Sequence, residues 1–175
     1  MKMKKLVLAL CVGLGTSSAA FAADGVINIT GQINGSTCQV NGTANGTLAT
    51  VNVTLPTVSK SALATKGATA GTTPFVLNLT QCTGASAKTL FELGSTVDQT
   101  TGNLINQTTG GASNVQVGLL NSSFQPINIT NNTNSQTVSI SNNVATLNYY
   151  AQYVATGAAT AGAVNTSVMF SMQYN

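Results

Sequence analysis

The segment Val164-Asn165-Thr166-Ser167-Val168-Met169-Phe170-Ser171-Met172-Gln173-Tyr174 puts Val, Thr, Val, Phe, Met and Tyr at every second position, and only Asn175 follows it. Strand side chains point to opposite faces with a period of two, so this reads as a strand with one core-seeking face. A second alternation lies near the other end, where Gly25, Ile27, Ile29, Gly31 and Ile33 alternate with Val26, Asn28, Thr30 and Gln32. A strand running to the last residue has no following chain to cover its far side. Proteins normally suppress such edges, because an exposed apolar edge templates pairing with another chain. The expectation from the two ends is that this pairing is the function.

The first residues read as an export signal. Lys2, Lys4 and Lys5 form a positive region, Leu6 to Leu14 an apolar core, and Ala20-Phe21-Ala22 an A-x-A cleavage site. The apolar core is shorter than the roughly 20 residues a bilayer-spanning helix needs. Cys11 reads as an apolar residue of the signal, since Leu10 before it is too large for lipid attachment. Removing the first 22 of 175 residues leaves 153, enough for one domain with a real core. It also removes half of the six lysines, so that Lys60, Lys66 and Lys88 balance Asp24, Glu92 and Asp98. A neutral surface rich in Asn, Thr and Ser steers toward neither nucleic acid nor anionic membrane, and it repels its own copies weakly. Cys38 and Cys82 remain, and an oxidising compartment makes a disulfide between them the default.

No long helical periodicity is present. Candidate strands are Val26–Ile33, Thr50–Leu55, Phe75–Thr80, Thr89–Leu93, Val115–Leu120, Phe124–Ile129, Thr137–Ile140, Ala145–Ala155 and Val164–Tyr174. Turn chemistry such as Asn41-Gly42, Gly110-Gly111 and Asn142-Asn143 separates them. Many short strands at regular spacing predict an all-β sandwich. Phe75, Leu77 and Leu79 alternate inward before Cys82, and Ser61 to Thr73 reads as a surface loop with room for a helical turn.

These features resemble the type 1 fimbrial subunits of the chaperone–usher pathway across nearly the whole mature chain. The likeness is strongest in Tyr150-Ala151-Gln152-Tyr153-Val154-Ala155-Thr156-Gly157, in Gly162 fourteen residues from the end, and in the penultimate Tyr174. Gly31, seven residues before Cys38, and Phe75-Val76-Leu77-Asn78-Leu79 before Cys82 extend it. The resemblance implies an incomplete immunoglobulin-like sandwich that lacks its last strand and is completed by a donated one. It divides the chain into a signal peptide (1–22), a donor-strand extension (23–33) and a pilin domain (34–175). It implies that Ile27, Ile29, Gly31 and Ile33 donate. The acceptor groove and chaperone-recognition surface would be formed by Gly162, Val164, Val168, Phe170, Met172 and Tyr174, helped by Tyr150 and Tyr153. The implied partners are a periplasmic chaperone, an outer-membrane usher and head-to-tail copies of the same subunit, with no cofactor. Strand addition of this kind takes affinity from main-chain hydrogen bonds and specificity from alternating pockets. A head-to-tail contact that does not close makes a fibre, here a surface fimbria.

Other functions fare poorly on the residues. With no His in the chain, Ser-His-Asp and Cys-His catalysis and imidazole metal sites cannot be built. Three scattered mature carboxylates make a poor acid–base pair. Two alternatives stay open at this point. One is a minor, adaptor or glycan-binding adhesin subunit of the same pilus, although a chain without Trp lacks the commonest sugar-stacking side chain. The other is a self-contained sandwich whose own Val26–Ile33 folds back over the final strand.

Overall fold

A computed structural model describes residues 27–31, 35, 37–44 and 46–175. Residues 33–175 form one unit, and the segment before them is a separate one. In that earlier segment residues 27–31 carry no helix or strand, and Ile27 and Ile29 are 88% and 90% exposed. Val26, Gln32 and Ile33, the rest of the predicted first strand, lie outside the described residues, as does the predicted signal.

Within the main unit the elements are β1 (Gln39–Val40), a 3-10 turn (Lys60–Leu63), β2 (Thr69–Thr80), β3 (Ser86–Phe91), β4 (Leu104–Ile105), β5 (Val115–Leu120), β6 (Pro126–Ile127), β7 (Thr137–Ser139), β8 (Ala145–Ala155) and β9 (Phe170–Tyr174). One sheet runs β1-β2-β8-β5-β4, with β6 also pairing β5, and the other runs β7-β3-β9. Every pairing is antiparallel. The inward rows of both sheets meet in one core, with Leu77 and Leu79 of β2, Val117 and Leu119 of β5 and Leu147 and Tyr149 of β8 facing Ala87 and Phe91 of β3. Phe75 stacks on Tyr149 and Phe91 meets the same ring edge-on, both at 5.5 Å between centroids. Burial raises the Tyr149 phenol above its ordinary pKa, and its hydroxyl has no well-aligned hydrogen-bond partner among the described residues. Alternating burial is clearest in β3 and in the first half of β8, while the central β5 is buried at every position.

Cys38 and Cys82 are joined in a disulfide across 44 positions, where β1 begins beside the end of β2. On the chain-entropy account a closed loop of that length stabilises by roughly 4 kcal/mol.

The abundant Asn residues act as substitute backbone. Asn132 accepts from the Phe91 amide at 2.8 Å and donates to its carbonyl at 3.0 Å, so one side chain occupies a ladder position on β3. Asn41 does the same on β2 through Asn78 and Val76. Among the described residues eight non-glycine positions have positive φ, and six of them are Asn, whose short amide tolerates the left-handed region. Phe124, at φ +58°, is the exception in bulk, and a large side chain there costs about 1–2 kcal/mol.

Several expectations change. Thr69–Thr73 belongs to β2, although the sequence reads as a loop there. Phe124–Ile129 shrinks to Pro126–Ile127, because the left-handed Phe124 turns the chain. Thr50–Leu55 is extended but belongs to no ladder, and Val164–Met169 likewise precedes the paired part of the final strand.

Candidate functional site

The unpaired segments lie along the two sides of a single groove. On one side Val51, Val53 and Leu55 turn inward while Asn52 and Thr54 turn out. On the other, every second residue from Val164 to Tyr174 is half-buried and every intervening one exposed. The floor is the core itself: Phe75, Leu77, Phe91, Val117 and Leu119 are reached through the opening. The main chamber holds about 880 Å³. A second chamber of about 240 Å³ continues past Phe170 to Met172 and Tyr174, ending against Cys38 and Val40. This is the shape of a sandwich core with one strand's worth of side chains missing.

The backbone points to the same vacancy of pairing. Residues 48–58 make no backbone hydrogen bond among the described residues. β9 is bonded along β3, from Ala87↔Tyr174 to Phe91↔Phe170, and its other edge carries no partner among the described residues. Main-chain donors and acceptors beside an apolar trough call for an extended partner that brings its own.

Other residues hold the second side in place. Asn106 donates to the carbonyls of Ala112 and Ala163 and accepts from the amides of Thr108 and Asn165. Gln107 and Asn165 add a backbone bond of 2.7 Å. Gly162 does not line the groove. A Cβ there would stand 2.4 Å from the Ala112 nitrogen and 2.7 Å from the Gly111 carbonyl carbon. Its lack of a side chain lets the start of this segment lie against residues 111–112, where the Ala112 amide donates to Ala163 at 3.0 Å.

Of the residues assigned to the groove from sequence, Val164, Val168, Phe170, Met172 and Tyr174 do line it, and so does Tyr153. Tyr150 does not; it sits on the opposite face of β8 and stacks on Phe124. Burial raises the Tyr174 phenol above its usual pKa, with the Cys38 backbone opposing. Sequence reasoning missed Val51, Val53 and Leu55 as groove residues. Their alternation carries the signal for an inward face, and a candidate strand over Thr50–Leu55 does not say whether it is paired.

One polar atom interrupts the apolar row. The Thr166 hydroxyl is buried without a hydrogen-bond partner. Such a group costs about 1–3 kcal/mol. Replacing it by the isosteric Val should raise the melting temperature of the isolated subunit by about 2–4 °C per kcal/mol recovered. Calorimetry of Thr166→Val with and without a peptide in the groove separates two roles. A gain that vanishes on peptide binding marks the hydroxyl as part of the strand contact; no gain in the free subunit contradicts its orphan status.

The type-1 fimbrial protein A family model matches residues 55–175. The major fimbrial subunit SMF-1 of Stenotrophomonas maltophilia is 48% identical over 165 residues, 90% of this chain and 96% of its own. The crystal structure of the Burkholderia pseudomallei antigen and type I fimbria protein BPSL1626 is similar at TM-score 0.53 and 31% identity, covering 78% of this chain and 88% of that one. The P pilus rod subunit PapA shares the fold at TM-score 0.58 and 15% identity, over 79% and 99% of the two chains. The chain belongs to the type-1 fimbrial protein family, structural subunits of cell-surface fimbriae rather than enzymes.

Proposed function

We propose that the groove between residues 48–55 and 164–174 receives a strand from another protein, first the periplasmic chaperone and then the next subunit. The incoming subunit strand is the segment 23–33 of a neighbouring copy, with Ile27, Ile29 and Ile33 entering pockets and Gly31 lying where the backbones approach. The usher of the outer membrane is the site of exchange. The carrying observation is the core laid open between two extended segments with unpaired edges. Each copy then has one donor and one recipient surface, and the head-to-tail contact propagates into a shaft. Export needs only the free-energy difference between two strands, so no catalyst is required in the subunit.

Phe170 tests the recipient side, because it lines both chambers and lies opposite Phe91 in the β3–β9 ladder. A carboxylate placed there is buried against apolar side chains on strand addition, which costs several-fold more than a lost contact. Phe170→Asp is expected to abolish capture by the chaperone and to cut the periplasmic level of the subunit by about 10-fold or more. Immunoblots of periplasmic extracts and chaperone pull-downs give the readout. A normal level with normal capture counts against the recipient assignment.

A further inference from the structure

The outer face of the larger sheet carries an aromatic display that strand exchange does not use. Tyr150 lies opposite Pro74 on β2 and opposite Leu120 on β5, and Leu120 in turn lies opposite Pro126 on β6. Directly opposed residues share a face, so this is one apolar row across four strands. Phe124 folds over it from the turn after β5, stacked on Tyr150 at 4.3 Å between centroids and 23° between planes. Leu120 is buried, yet it belongs to neither core cluster, and its cross-strand neighbour Tyr150 is the ring on which Phe124 stacks.

Two features distinguish this from an ordinary surface cluster. Phe124 keeps 58% of its surface exposed. It does so in a left-handed backbone conformation that bulky residues avoid, and strain held by surrounding structure points toward a functional cause. The surroundings do hold it: Asn121 accepts from the amides of Ser123 and Gln125 and donates to the Asn134 carbonyl, while the Phe124 amide donates to the Asn121 carbonyl. The turn is a rigid mount for a ring.

We propose that Phe124 and Tyr150 form a stacking platform for a neutral sugar, a hexose or N-acetylhexosamine. The apolar C–H face of a pyranose matches an open aromatic face. The Tyr150 hydroxyl makes no hydrogen bond among the described residues and is available to a sugar hydroxyl. Neutrality follows from the local residues: 72–76, 118–127 and 146–154 contain no Asp, Glu, Lys or Arg. The charged side chain tied to this face is Asp98, bonded to Gln116 four residues along β5 from Leu120. A row of five residues is also small against the roughly 800 Å² per partner of a stable protein interface. One such site is weak, but a shaft repeats it at every subunit, and multivalency converts weak contacts into retention.

The test uses assembled fibres and polyacrylamide conjugates of galactose, mannose and N-acetylglucosamine, with a sialylated conjugate as control. Wild-type fibres are expected to retain at least one neutral conjugate and not the sialylated one. Phe124→Tyr keeps the ring and should bind within about 2-fold of wild type, whereas Phe124→Leu keeps an apolar side chain without an aromatic face and should lose about 10-fold or more. Saturation-transfer NMR should show the effect concentrated on the sugar's ring C–H protons. Equal retention by Phe124→Leu, no neutral conjugate retained, or retention of the sialylated conjugate alone overturns the proposal. So does Phe124→Leu altering fibre coiling while Phe124→Tyr does not, which makes this face a contact between copies.

Discussion

The mature subunit cut before Gln32 is expected to melt at low temperature and to gain tens of degrees when given a peptide of residues 23–33. The groove is lined by the core residues Leu77, Phe91 and Val117 and flanked by the half-buried rows Val51 to Leu55 and Val164 to Phe170, so the truncated domain leaves apolar surface there that a donated strand would cover. Filling it with Ile27, Ile29 and Ile33 recovers about 1.5–3 kcal/mol per side chain. Ladder bonds to two free edges add about 0.5–1.5 kcal/mol each. Ordering the peptide takes back part of this. At about 2–4 °C per kcal/mol for a domain of this size, the net shift is roughly 10–35 °C and rises with peptide concentration. Scanning calorimetry across a peptide titration measures it. A truncated subunit that folds only with peptide carries the same meaning in stronger form. A truncated subunit that is already stable, and indifferent to peptide, means a closed domain, and strand donation would have to be abandoned.

What the sequence made legible was the face each residue takes, and what it concealed was whether the backbone beside that face is paired. Ala145–Ala155 and Val115–Leu120 have the same limits in the sequence and in the structure, the first because a long alternating row has one way to bury itself and the second because a short run paired on both sides is buried at every position. Val51, Val53 and Leu55 follow the same rule and face the core, yet no strand lies beside them. Period reports burial and carries no information about ladders. The alternation of Val164 to Tyr174 is likewise complete in burial, while only Phe170–Tyr174 is laddered. Parity settles the consecutive tyrosines: Leu147, Tyr149, Ala151 and Tyr153 face inward, which sends Tyr150 out. β1 and β4 are two residues each, too short for any periodic signal. Phe124 misled because an aromatic near alternating residues reads as strand, and a left-handed turn at Phe has no sequence signature.

Gly31 gives the second large effect, and it separates assembly from folding. Gly31 precedes the domain formed by residues 33–175, so a side chain there lies outside the unit that has to fold. On the proposed strand donation the same side chain would have to enter a tight approach between backbones in a neighbour's groove, and overpacking of that kind costs about 1–3 kcal/mol. Gly31→Leu is therefore expected to reach the periplasm in a chaperone complex at wild-type level and to form few or no fibres. Two peptide experiments locate the defect. The Gly31→Leu subunit, cut before Gln32, is wild-type in sequence and should gain the same stability from wild-type peptide. A 23–33 peptide carrying Gly31→Leu should bind the wild-type groove about 5–150-fold more weakly, the ratio that corresponds to that cost. Electron microscopy of the cell surface and calorimetry of the peptides provide the measurements. Normal fibres from Gly31→Leu, or equal binding of the two peptides, would remove residues 23–33 from the donor role. The pair of results expected here, an intact recipient with a disabled donor on the same chain, is what a head-to-tail polymer requires. A subunit whose first strand simply completed its own sandwich would lose both together.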